Sequence, residues 1–259
     1  MSWHGCGGLR LATTDEEVNW LKYVYGISRL AGYECEIIGP SEIKQYHPYL
    51  ETFGIKAAFR VECGGSYPEE TFPGYQAPIL RIADDGSGER ECVTACFGMV
   101  PSWAELALSR HTYNARSETV AEKPSYRNAW HKRQFCLVLA DNFYEPNYAT
   151  GKAVRWRIQT EDANPFGIAG IWDKWIDPST GELVVSFSML TVNADEHPVM
   201  RQFHKEGDEK RTPVIIQPRD YDDWLGADLP TATKMMTWVN MPDLKVSPQP
   251  RVKENLSTN

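Results

Sequence analysis

The chain has 259 residues, 42% hydrophobic and 12% aromatic, and a formal net charge of −8. That is enough apolar material for a real core, and the acidic balance argues against a protein that coats nucleic acid through its overall field, though not against a local basic groove. No apolar run reaches the ~18–20 residues that span a bilayer and no signal-peptide core is present, so an intracellular protein without a membrane partner is expected.

In such a compartment the six cysteines (Cys6, Cys35, Cys63, Cys92, Cys96, Cys136) are expected as free thiols. Thr14-Asp15-Glu16-Glu17 has a hydroxyl at a cap position and a glutamate three residues on, followed by Val18, Leu21 and Tyr25 at helical spacing. This predicts a helix over about 15–29. Strands are expected at 56–63 and 77–82, then a turn at Asp84-Asp85-Gly86-Ser87-Gly88 and a returning strand over 92–100. Cys92 and Cys96 make half of a metal-binding pattern with no second pair to complete it, so no metal is expected.

Ser102 could cap a short helix toward Ser109, and Pro124 opens a second helix candidate through Trp130. Phe135 to Ala140 is a continuous apolar run of the kind found in strands buried on both faces. Further strands are expected at 153–159, 166–172, 184–192 and 213–217, a short helix over 219–225, and a poorly ordered tail beyond Asp243. Strands dominate without regular strand–helix alternation, which predicts one α+β domain, mostly antiparallel.

The most informative polar run is Tyr113-Asn114-Ala115-Arg116-Ser117-Glu118-Thr119. On an extended segment Asn114 and Arg116 share one side, setting an amide beside a guanidinium that can grip phosphate or carboxylate. Glu145 follows the buried strand between aromatics and Pro146. Partial desolvation there suits general acid/base work, while a structural pairing with an arginine fits the residue type equally well. His197 and His204 stand seven apart, a poor spacing for helical zinc ligands. Cys6-Gly7-Gly8 combines a thiol with a backbone able to approach a reactant closely.

These pieces together resemble the SOS-response-associated peptidase (SRAP) family, sensors of abasic sites in single-stranded DNA. The resemblance runs from Cys6-Gly7 through Phe97-Gly98-Met99-Val100-Pro101-Ser102-Trp103, similar to the family's Trp-Gly-Leu-hydrophobic-Pro-x-Trp. It continues with Asn114 to Thr119, Phe143-Tyr144-Glu145, and His204 through Arg211-Thr212-Pro213-Val214-Ile215. It implies a pseudo-barrel of antiparallel strands with short flanking helices and no cofactor. The implied partner is single-stranded DNA carrying abasic sites, with no required protein partner. The chemistry implied is a self-processing peptidase that exposes an N-terminal cysteine, whose amine and thiol then close a thiazolidine on the ring-opened sugar.

By carry-over, Cys6 is the nucleophile, Asn114 positions it and the sugar, Glu145 is the acid/base, and His204 moves protons at the sugar. Arg116 would grip a phosphate, Trp103 stack on a base, and Arg211 add a phosphate contact. Here Met1-Ser2-Trp3-His4-Gly5 precedes the cysteine, Gly8 stands where the family has arginine, and Pro146 where it has tryptophan. Residues 1–5 are accordingly expected as a leader removed by processing, 6–242 as the domain and 243–259 as a tail. Two rival readings are a cysteine hydrolase acting in trans through Cys6, His204 and Asn114, and a non-catalytic single-strand-binding module.

Overall fold

The computed structural model describes residues 8–19, 21–22, 35–46, 55–61 and 70–250. They divide into two compact units, a smaller one of residues up to 61 together with 92–94, and a larger one of 70–91 and 95–250.

In the smaller unit, β1 (Gly8–Ala12), β3 (Ala57–Val61) and β2 (Cys35–Ile38) form an antiparallel sheet in that spatial order. Residues 15–19 and 21–22 are helical, and the expected capping box starts this helix. The Glu17 backbone N–H donates to Thr14 Oγ1 at 3.2 Å, and the Glu17 carboxylate accepts from the Thr14 backbone N–H at 3.1 Å. The rest of that predicted helix lies outside the described residues. A short helix α1 (Pro40–Tyr46) buries Ile43 against Ile38.

The larger unit is built on a closed ring of five strands, β4 (Gln76–Ile82), β5 (Arg90–Phe97, apart from its residues 92–94), β7 (Phe135–Ala140), β10 (Phe166–Ile176) and β11 (Leu183–Asn193). β4 neighbours β5 and β7, β7 pairs with β10 and β10 with β11, these last two pairs antiparallel. A parallel contact of β11 with β5, Ser186 opposite Cys96 and Phe187 opposite Phe97, closes the ring. Closure leaves no exposed edge among these five. The mostly antiparallel α+β barrel with short helices is the expected fold class.

Two short strands extend β11 on its flanks, β6 (Asn114–Arg116) parallel and β12 (Arg211–Pro213) antiparallel, while β13 (Ile215–Ile216) pairs with β10. A second sheet runs β14 (Leu244–Pro248), β9 (Val154–Thr160), β8 (Phe143–Asn147), with β8 at its edge. Helices α2 (Arg127–His131), α3 (Tyr221–Leu225) and α4 (Leu229–Met235) are all short. The core gathers on β7, where Phe135 packs against Trp130 at 5.4 Å and Trp224 at 4.9 Å between ring centroids. Trp224 is fully buried and satisfies its indole N–H on the Cys136 carbonyl at 2.9 Å. Cys96 and Cys136 are buried free thiols.

Several elements differ from the sequence expectation. β5 stops at Phe97 because Gly98 takes φ +119, and a Cβ there would stand 1.8 Å from the Ser109 carbonyl oxygen. The helix expected from Ser102 is a 3₁₀ turn over Leu106–His111 with no side-chain cap, and the one expected from Pro124 starts at Arg127. Helix α4, capped by the Asp228 carboxylate on the Thr231 N–H at 2.8 Å, was not expected. Part of the expected tail is the ordered strand β14, held by β9, while residues 251–259 lie outside the described set. Among the described residues no helix is long and apolar enough to cross a membrane.

Candidate active site

Three elements of the larger unit, β6, β8 and the segment leading into β12, surround a cavity of about 780 Å³. Asn114, Arg116, Glu145, His204 and Arg211 all line it. β6 alternates as the sequence predicts: Ala115 is fully buried while Asn114 and Arg116 are exposed on the opposite face. Its parallel register on β11 sets Asn114 opposite Met189 and Arg116 opposite Thr191. The Asn114 carbonyl accepts from the Tyr126 hydroxyl at 3.0 Å, which fixes the backbone. Its side-chain amide makes no hydrogen bond among the described residues and is free to meet a ligand.

Arg116 and Arg211 are held differently. Arg116 keeps 56% of its side chain exposed and touches Glu209 Oε2 through Nη1 at 2.6 Å. Arg211, 13% exposed, donates from Nε to Thr191 Oγ1, from Nη2 to the Thr191 carbonyl, to both oxygens of Glu118, and from Nη1 to Glu209 Oε1 at 2.5 Å. Those bonds use all the donor directions of a guanidinium. Burial opposes ionisation of Glu118 and Glu209, but the hydrogen bonds and charge of Arg211 outweigh it and hold both carboxyls below the ordinary value.

Glu145 sits on edge strand β8, opposite Trp156 of β9, with its side chain 22% exposed toward the cavity. The edge position explains how Pro146 is accommodated, since a proline cannot donate to an inner ladder. Removal from water raises the Glu145 carboxyl from 4.5 to about 7. His204 Nε2 stands 3.8 Å from Glu145 Oε2. His204 has φ +63, a left-handed backbone that a non-glycine residue adopts only when its surroundings enforce it. Three contacts enforce it here: its N–H on the Pro146 carbonyl at 3.0 Å, its Nε2 3.4 Å from the Arg211 carbonyl, and Phe203 beside it, fully buried and edge-on to Trp156 at 6.1 Å.

Trp103 does not line the cavity; it projects from the turn after Pro101 with 61% exposure. Trp175 pins that turn by donating its indole N–H to the Ala104 carbonyl at 2.9 Å. Cys6 lies outside the described residues. His197 is not in the cavity: it is buried, and its Nδ1 accepts from the Val199 and Met200 N–H groups at 3.1 and 3.2 Å.

Tyr113 and Tyr144, named in the sequence only as members of their runs, also line the cavity, as do Arg155 and Glu209, which were not singled out. The Arg155 guanidinium lies 3.3 Å over the Tyr144 ring and bonds Glu70 at 2.5 Å. Alternation along Val154-Arg155-Trp156-Arg157 separates Arg155 from Trp156 and was the available signal for it. Glu209 is hidden within the charged run 205–211, where nothing local distinguishes it.

The family model described as SOS response associated peptidase (SRAP) matches residues 52–253. Abasic site processing protein YoqW of Bacillus subtilis is 33% identical over 162 residues, covering 60% of this chain and 68% of the relative. Abasic site processing protein HMCES of Mus musculus is 32% identical over 157 residues, covering 49% of this chain and 44% of that longer protein. A crystal structure of a protein from Bordetella bronchiseptica superposes with TM-score 0.66 at 36% identity, covering 73% of this chain and 90% of the other. One from Bacteroides thetaiotaomicron, at TM-score 0.56 and 22% identity over 68% of this chain and 74% of the other, shares the fold.

Proposed function

The chain belongs to the SOS response associated peptidase family, and from that premise we propose that it captures abasic sites in single-stranded DNA covalently through Cys6, after releasing Met1–Gly5 from its own N-terminus. The observation that carries this reading is Glu145: a carboxyl with pKa about 7, in a cavity with His204 on one side and the free amide of Asn114 also on its wall. Near neutral pH such a group is present in both protonation states, so it can donate and accept protons in successive steps. The relatives' names, abasic site processing protein, point to the same substrate.

In its neutral form Glu145 protonates the ring oxygen of the abasic sugar while the anomeric hydroxyl gives up its proton, opening the hemiacetal to an aldehyde. Hydrolysis of the Gly5–Cys6 bond frees the Cys6 α-amine, whose pKa near ~8 leaves a reactive neutral fraction at pH 7. The amine adds to the aldehyde carbon and water leaves, giving an imine. The thiolate then adds to the same carbon and the nitrogen takes a proton, which closes the five-membered ring. His204 relays protons with Glu145, and Asn114 orients the Cys6 backbone and the sugar. Arg116 holds a phosphate, Trp103 stacks on a neighbouring base, and Arg211 braces the phosphate side of the cavity.

The test is incubation with a single-stranded oligonucleotide carrying one abasic site, read on a denaturing gel. The wild type gives a shifted band, Cys6→Ala gives none, and Glu145→Gln forms it about 10²–10⁴-fold more slowly. A band that survives Cys6→Ala sinks the chemistry, as does an intact mass retaining Met1–Gly5 in crosslinking-competent protein. Turnover of a small peptide in trans would favour the hydrolase, and native-gel binding without a covalent band would favour a plain binding module.

A further inference from the structure

The contact that holds Arg116 is unusual for a residue that is to grip a phosphate, because the position is already taken by a carboxylate. Glu209 spans two guanidinia, with Oε1 on Arg211 and Oε2 on Arg116. The two ends are not equivalent. Arg211 is largely withdrawn from solvent and has its remaining donors committed to Thr191 and Glu118. Arg116 is more than half exposed on the cavity wall, and Glu209 is its one partner among the described residues. An arriving anion can therefore take Arg116 from Glu209 without disturbing Arg211.

The loop that presents Glu209 is itself built to hold it there. It leaves the left-handed His204 and turns at Gly207, φ +84, where the Asp208 N–H donates to the Lys205 carbonyl at 3.2 Å. It is tied back by the Lys210 N–H on Asp195 at 3.0 Å, the Ala194 N–H on the Lys210 carbonyl at 2.8 Å, and the Lys210 ammonium on the Lys205 carbonyl. Glu209 is thus fixed by its backbone on both sides and by Arg211 at its tip.

We infer that Glu209 is an internal stand-in for a nucleic-acid phosphate, occupying Arg116 in the free protein and yielding it only to a phosphodiester at that position. The inference rests on the DNA reading above and adds a selection rule to it. Arg116 contributes to binding only when a phosphate lies beside the sugar in the cavity, since otherwise displacing Glu209 gains nothing. It also alters the salt dependence, because Arg116 exchanges one anion of the protein for another and releases no counterion from DNA on its own account. The remaining Glu209 charge, anchored on Arg211, stays close to the incoming phosphate and weakens its hold.

The experiment measures reversible binding of a single-stranded oligonucleotide carrying a tetrahydrofuran abasic analogue, which has no aldehyde, from about 50 to about 200 mM salt. Glu209→Gln takes the carboxylate from both guanidinia, and because Arg211 keeps its bonds to Thr191 and Glu118 the variant is expected to bind about two- to five-fold tighter than wild type at the lower salt, matching release of the exposed pair at Arg116. Its slope of log affinity against log salt steepens by about 0.7, one added phosphate neutralisation on single-stranded DNA. Arg116→Ala costs more affinity in the Glu209→Gln background than in wild type, and the double variant loses both gains. Glu209→Asp, which keeps the charge but is one methylene shorter, provides a second variant with the loop chemistry retained and is expected to fall between. If wild type binds and both variants match or fall below it with an unchanged slope, the stand-in role is overturned while the DNA reading survives. If no variant binds, both fall together.

Discussion

At the scale of single residues, Glu145 shows the cost of holding a carboxyl away from water. Burial raises its carboxyl from 4.5 to about 7, so the folded protein holds a proton there that the unfolded chain has released. Below pH 4.5 both states are protonated and there is no penalty. Between 4.5 and about 7 the penalty grows, and above about 7 it is complete, on the order of 3 kcal/mol. Glu145→Gln is therefore expected to be more stable than wild type at pH 8 and no more stable at pH 4, as read from urea midpoints. The same titration predicts that wild-type crosslinking changes with an inflection near pH 7 that the variant lacks. His197 works in the opposite sense. Burial lowers its pKa from 6.5, and its unprotonated Nδ1 caps the turn at Val199 and Met200 that leads to His204. Its contribution is whole above pH 6.5 and is lost as pH falls through the lowered folded value. His197→Gln should accordingly lose less stability than wild type between pH 7 and pH 5, measured as the difference in denaturation midpoints.

At the scale of elements, the end of β5 is fixed by one glycine. Gly98 donates to the Phe187 carbonyl at 2.8 Å, and its φ of +119 turns the chain back so that Met99 bonds Thr112. An added Cβ would collide with backbone at Ser109, which cannot move without displacing the 3₁₀ turn. Gly98→Ala is expected to cost more than about 3 kcal/mol, seen as a large fall in denaturation midpoint or as insoluble protein. Such a residue within the Phe97-Gly98-Met99-Val100-Pro101 run was legible as a motif in the sequence, but the reason for it was not. The close approach to Ser109 comes from eleven residues away in the chain. By contrast Trp103, exposed on its turn, should tolerate alanine within about 0.5 kcal/mol of stability. If it stacks on a base, Trp103→Ala weakens single-strand binding by about 1–3 kcal/mol while melting remains unchanged.

At the scale of the whole molecule, the net charge of −8 works against long-range attraction of DNA, and carboxylates already pair Arg116, Arg211 and Arg155 at the cavity. Binding then depends on few phosphate contacts, and its salt slope should be shallow, about −1 to −2 for a single strand. A much steeper slope in a salt titration would mean a contact surface beyond this cavity. The roles of Glu145 and His204 came with the family resemblance; the amino-acid order alone determined the strands with strong apolar or alternating patterns, the capping box at Thr14, the α+β class, and the shared side of Asn114 and Arg116. These are set by local chemistry and by spacing along the chain. Only the tertiary structure decided how Asn114, Glu145 and His204 meet, since they lie on separate segments of the chain, Asn114 and Glu145 on two different sheets, yet line one cavity. It also decided what no local pattern encodes: the strained backbone of His204, the commitment of Arg211 to its own carboxylates, and the reach of Glu209 to Arg116 across 93 residues of sequence. Charge and burial act through space, so a carboxylate's role is fixed by what the fold places beside it.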